Sequence, residues 1–109
     1  MTQTVLWLAQ RITAAILAVC VVVHLATIIY AVQGGLTAAE ILGRTRGNIA
    51  WLAFYSLFVV AAAIHAPIGL RPVLGEWLKW RGVSREIALS FFSIFLVLLG
   101  MRAVIGVFA

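Results

Sequence analysis

The 109-residue chain predicts an all-α, integral membrane fold with three transmembrane helices, and two features of the sequence carry that prediction. The first is composition: 65% of residues are hydrophobic, 10% are charged, and the mean hydropathy is +1.18, well outside the range of water-soluble domains. The second is distribution. Residues 12–32, 49–70 and 87–109 are free of charge except for Arg102, and each run matches the ~20 apolar residues that a helix needs to cross a bilayer. Spans at about 5–32, 48–71 and 85–107 make residues 1–109 a single three-helix domain. They leave no room for a soluble catalytic domain, a zinc module or a nucleotide-binding βαβ unit. Any chemistry therefore requires a cofactor or partner subunits.

Taken in order, the first helix should begin near Thr4 and end before Gln33-Gly34-Gly35, where two glycines release the chain from helical geometry. In the connection that follows, Thr37 and Glu40 have the spacing of a capping box around one helical turn. The second helix is expected from about Asn48 to Arg71. Within it Pro67 cannot donate to the Ala63 carbonyl and predicts a kink, and Pro72 is expected to terminate the helix. The connection 73–85 mixes Trp77 and Trp80 with Glu76, Lys79 and Arg81, which suits a segment at headgroup level. The third helix should start around Ser84 and run nearly to the C-terminus. All four tryptophans, Trp7, Trp51, Trp77 and Trp80, fall at span ends, where an amphipathic indole is favoured.

The formal net charge of +5 reads as topology and not as a nucleic-acid surface. Arg11, Arg71, Lys79, Arg81 and Arg85 share one side of the predicted membrane, and Arg44, Arg46 and Arg102 the other, which orients the N-terminus inward. The first apolar run is expected to be a span and not a cleaved signal: residues 1–10 carry no side-chain cation and Ala31-Val32-Gln33 is a poor cleavage site. Cys20 is the single cysteine, so no internal disulfide is possible.

Ionisable groups within a bilayer are costly and mark function first. Both histidines lie inside spans. In the first helix Thr13, Leu17, Cys20, His24 and Thr27 share one face, which must look into protein. In the second, His65 is flanked by Ala61, Ala62 and Gly69, a groove suited to a flat ligand or a close-packed backbone. Two readings follow: histidines that hydrogen-bond across helix interfaces, or histidines that act as axial ligands of haem. With Arg11 and Arg71 marking the inner interface, His24 lies ~20 Å and His65 ~9 Å along their helices. Ligands of one porphyrin should sit at equal depth, so the two histidines are not expected to share a haem, and each requires a ligand from another chain. Near the inner end, Trp7, Gln10, Arg11, Thr13 and Arg71 form a second set with donors for a propionate or a quinone carbonyl and an aromatic wall. Snorkelling to lipid phosphates is the plainer reading of the arginines. Ser90, Ser93, Val97 and Gly100 form a small-residue stripe suited to helix packing.

The run His65-Ala66-Pro67-Ile68-Gly69-Leu70-Arg71, followed by Glu76-Trp77, resembles the second-helix signature of the cytochrome b membrane-anchor subunit of succinate dehydrogenase and fumarate reductase. Gln10-Arg11-Ile12-Thr13 is similar to that family's first-helix segment, with Trp7 where the family has serine and Ala14 where it has glycine. The resemblance implies an axial haem b ligand at His65, a quinone or propionate contact at Arg11 and a further anchor at Arg71. His24 resembles the first-helix ligand of the two-haem members. It also implies a subunit without catalytic residues of its own that passes electrons between an iron–sulfur subunit and membrane quinone, with a flavoprotein subunit and a second membrane-anchor subunit as partners. The expected location is the bacterial inner membrane with a cytoplasmic N-terminus. The alternatives are a haem-free interaction or proton-transport subunit, and a cytochrome b anchor of another dehydrogenase.

Overall fold

The computed structural model describes residues 2–109, which form four helices: α1 (Gln3–Gly34), α2 (Ala38–Thr45), α3 (Ile49–Trp77) and α4 (Val83–Phe108). Three of them, α1, α3 and α4, are long and apolar enough to cross a membrane, and the described residues contain no strand. Each start but the last has a side-chain cap. Thr2 accepts from the Val5 N–H and Asn48 from the Trp51 N–H, both at 3.2 Å. Thr37 and Glu40 form the complete capping box that their spacing predicts. Gly35, with φ of 115°, turns the chain out of α1 in a conformation that L side chains rarely adopt, and Gly82 at φ 94° does the same ahead of α4.

One boundary departs from expectation. Pro72 does not end the second span: α3 continues past it to Trp77, so the loop to α4 is confined to residues 78–82 and not 73–85. The turn beyond Pro72 packs against the loop and the start of α4. Gly75 is buried and has no side chain, which lets Arg81 and Arg85 lie across the last turn of α3. Arg85 donates to the Arg71 carbonyl at 3.4 Å, and the turn closes with the Leu78 and Trp80 N–H groups both donating to Leu74 O. Proline inside a membrane helix is tolerated where neighbours satisfy the backbone it leaves open. Pro67 shows this directly: it has no N–H to give the Ala63 carbonyl, and Ser93 of α4 donates to that oxygen at 2.7 Å.

α3 is the central element, with α1 and α4 packed on it and α2 leaning on the end of α4. The last carbonyls of α4, which have no partner within the helix, are met by the α2 connection. Thr45 donates to Val107 O at 2.7 Å, Arg46 to Ala109 O at 2.8 Å, and the Gly47 N–H to Phe108 O at 2.8 Å. Little of the chain is interior. The core comprises Thr13, Cys20, Ala61, Ala63, Leu89 and Val104 together with Pro67 and Gly75, all small or medium residues, and large apolar side chains such as Val22, Phe91 and Leu98 face outward. In a bilayer that outward surface faces lipid or a partner helix, and small residues at the contacts let the helices approach closely.

Candidate functional site

The face of α1 singled out by spacing does turn towards α3: Thr13 and Cys20 are buried, and Leu17, His24 and Thr27 are half-buried. Helical periodicity places these five on one stripe, and α3 supplies the surface they need. At its lower part Thr13 Oγ1 lies 3.2 Å from His65 Nδ1. The same hydroxyl lies 2.7 Å from Ala9 O and 3.2 Å from Gln10 O, one turn back on α1. One further turn towards the N-terminus, Gln10 rests on Gly69: a Cβ there would meet Gln10 Nε2 at 3.0 Å. The Gln10 Oε1 is buried without a partner among the described residues. His65 is half-buried in α3, and Nδ1 is its one hydrogen-bonded nitrogen among the described residues.

His24 sits higher on the same stripe, held edge-on between Tyr55 and Phe58 with ring centroids at 5.9 and 5.6 Å. Thr27 donates back to the His24 carbonyl at 2.7 Å. The His24 Nδ1 is buried and has no hydrogen-bond partner among the described residues, which is costly for a polar atom in an apolar surrounding. Two open clefts meet at this ring. One, of about 840 Å³, runs from His24 past Tyr30 to Trp51; the other, of about 620 Å³, lies between α3 and α4 beside Phe58, Ala62 and Gly100. Trp51, in the lining of the first cleft, stacks on Tyr55 with ring centroids 5.6 Å apart.

The imidazoles therefore lie at separate levels. His65 is level with Thr13, eleven residues below His24 on α1, or ~16 Å of helix. His24 is level with Phe58, seven residues above His65 on α3, or ~10 Å. Among the described residues no group of three or more His, Cys, Asp or Glu side chains gathers to hold a metal ion, so each histidine stands as a single donor.

The inner set read from the sequence separates into three. Gln10 and Thr13 join His65 and Gly69 at the α1–α3 contact. Arg11, a residue further round α1, is exposed and lies over the exposed Trp7 ring with its guanidinium carbon 5.4 Å from the centroid. Arg71 turns to α4, where its Nε donates to Glu86 at 2.7 Å; Arg85 donates to the same carboxylate oxygen at 2.9 Å.

Sequence reasoning did not single out Glu86, Tyr55 or Phe58. Tyr55 and Phe58 had a usable signal, since they share the α3 face of Ala62, four residues beyond Phe58. Periodicity gives Ser93 a packing role alone; the signal for its hydrogen bond is Pro67, whose missing N–H obliges some donor to reach Ala63 O.

A family model described as the succinate dehydrogenase/fumarate reductase transmembrane subunit matches residues 1–104 of the chain. No curated protein and no solved structure matches it.

Proposed function

The chain belongs to the family of succinate dehydrogenase/fumarate reductase transmembrane subunits, and from that premise we propose that it is a haem b-binding anchor in which His65 and His24 each offer one axial ligand to a separate haem. Family membership implies a membrane subunit associated with the flavoprotein and iron–sulfur subunits. In the proposed assembly these dock at the end holding the N-terminus, on the cytoplasmic side of a bacterial inner membrane, and a second membrane-anchor subunit supplies the opposing ligands. Haem in this position supplies a one-electron relay between an iron–sulfur cluster and quinone.

One observation carries the reading. Both histidines of a nearly charge-free bundle lie at helix contacts, and each keeps a ring nitrogen that no described residue of this chain engages. A buried imidazole nitrogen such as His24 Nδ1 would be expected to find a partner within the bundle if it served packing alone. The surroundings fit a flat, largely apolar group. The clefts at His24 are within the ~300–1,000 Å³ range of cofactor sites and are walled by Tyr55, Phe58 and small residues. At the inner end, the Gln10 amide packs on the bare backbone of Gly69 and keeps an orphaned oxygen near His65.

The residues have distinct tasks. His65 and His24 set the depths of the two sites through their positions on α3 and α1. Arg11 presents guanidinium donors at the inner interface for a propionate or a quinone carbonyl, and Trp7 beneath it forms an aromatic wall. Gln10 adds an amide at the same level. Arg71 uses Nε on Glu86, and its two remaining nitrogens serve as the second inner donor. The apolar faces of α1 and α3 exclude water. Substrate oxidation takes place in the flavoprotein.

The test is a reduced-minus-oxidised spectrum of the purified complex with haem counted per complex. His65→Ala is expected to remove one haem's absorbance while the chain stays inserted, and His24→Ala to remove the other. A full bis-histidine spectrum in the His65 variant overturns the assignment, and a colourless wild-type complex leaves the histidines as helix contacts.

A further inference from the structure

We propose that Thr13 is a positioning residue that holds His65 in its Nδ1–H tautomer and so reserves Nε2 as the metal-binding nitrogen; the inference rests on the haem reading above. The protons available around one oxygen fix the tautomer. Thr13 Oγ1 has three neighbours, Ala9 O at 2.7 Å, Gln10 O at 3.2 Å and His65 Nδ1 at 3.2 Å, and a single hydrogen to donate. Two carbonyl oxygens can only accept. Were the hydroxyl to donate to His65, Oγ1 and Ala9 O would face each other at 2.7 Å with no proton between them, a repulsive arrangement of lone pairs. With the hydrogen on Ala9 O, at a normal O–H···O length, the Oγ1 lone pairs point away from α1 and accept from His65 Nδ1–H. In a neutral imidazole the other nitrogen is then bare.

The placement strengthens the point. Thr13 is 5% exposed, so no water competes for its lone pairs, and Cys20 on the same face is buried too. Thr13 thus does for His65 what a carbonyl or carboxylate commonly does for a metal-bound histidine: it fixes ring orientation and raises ligand basicity. His24 has no such partner among the described residues, since its Nδ1 is orphaned. The two sites consequently differ: His65 is pre-oriented by its own chain, and His24 is not. Removing the acceptor at position 13 should weaken the His65 site and leave the His24 site unchanged.

Two measurements test this. In the full chain carrying His24→Gln, labelled with ¹⁵N-histidine and held in detergent without haem, His65 is expected to show a protonated Nδ1 and a bare Nε2. Thr13→Ser should keep that pattern, and the nearly isosteric Thr13→Val should shift it towards Nε2–H. A protonated Nε2 with Thr13 in place, or a pattern that Thr13→Val does not alter, overturns the inference. In the assembled complex, titration with haemin should show the His65 site weakened about 10–100-fold by Thr13→Val, with little change for Thr13→Ser and none at the His24 site. Equal affinity in Thr13→Val and wild type also overturns it. A wild-type complex that takes up no haem overturns the haem assignment instead, and is told apart because the tautomer is read without haem.

Discussion

Replacing Ser93 by alanine removes one hydroxyl from α4, and its consequence depends on a proline in a different helix. Pro67 lacks the N–H that would close the helical bond to Ala63 O, and the Ser93 hydroxyl donates to that carbonyl at 2.7 Å. Ala63 is 3% exposed, so neither water nor lipid headgroups reach the oxygen once the hydroxyl is gone. Leaving a buried acceptor unmade costs ~1–3 kcal/mol in general. Measured side-chain hydrogen bonds between membrane helices average ~0.6 and reach ~1.7 kcal/mol. The expected loss for Ser93→Ala is therefore ~1 kcal/mol, about a fivefold change in the folded-to-unfolded ratio. The decisive measurement is a double-mutant cycle. In a Pro67→Ala background residue 67 has an N–H again and can close the bond to Ala63 O, so Ser93→Ala should cost only a few tenths of a kcal/mol there, giving a coupling of ~0.5–1 kcal/mol. Reversible unfolding of the purified chain in mixed micelles, followed by circular dichroism, reads all four members. If Ser93→Ala costs the same in the wild-type and the Pro67→Ala backgrounds, the hydroxyl does not compensate the proline and the account of this helix pair fails.

Two further changes probe the packing that holds the site in place. A Cβ at Gly100 would lie 2.5 and 2.8 Å from the two methyl groups of Val59, a β-branched side chain with little rotamer freedom; Gly100→Ala is expected to destabilise the α3–α4 contact by ~1–3 kcal/mol in the same unfolding assay, and Val59→Ala should restore most of it. Thr37→Ala removes the capping box of α2 and should cost ~1 kcal/mol locally. It should show as faster amide exchange in α2 and at Gly47, whose N–H caps Phe108 O.

The three spans were legible because hydropathy and length act locally: a 20-residue apolar run has few alternatives to a membrane helix whatever surrounds it. The α2 cap was legible for the same reason, since Thr37 and Glu40 are three residues apart and satisfy each other. Pro72 misled because the bond a proline removes belongs to the turn before it: Ile68 O loses its helical donor, while the residues after Pro72 still donate, and α3 runs on to Trp77 with Arg81 and Arg85 packed against its last turn at Gly75. At the candidate site, the inward face of α1 followed from periodicity, whereas the contacts of the two inner arginines did not: Arg11 lies over Trp7 and Arg71 pairs with Glu86.

What the residues determined unaided was the membrane, the number of crossings and the presence of two imidazoles at depth. What only the tertiary structure decided was their company: Thr13 against His65 across fifty-two positions, Gln10 against Gly69, Tyr55 and Phe58 around His24. Polar residues on one stripe mark the inward face of α1, but in lipid there is no hydrophobic force between helices to prescribe which residues of the neighbouring span meet that stripe. That pairing is set by close packing of small residues and by a few interhelical hydrogen bonds, which exist only once the helices have met.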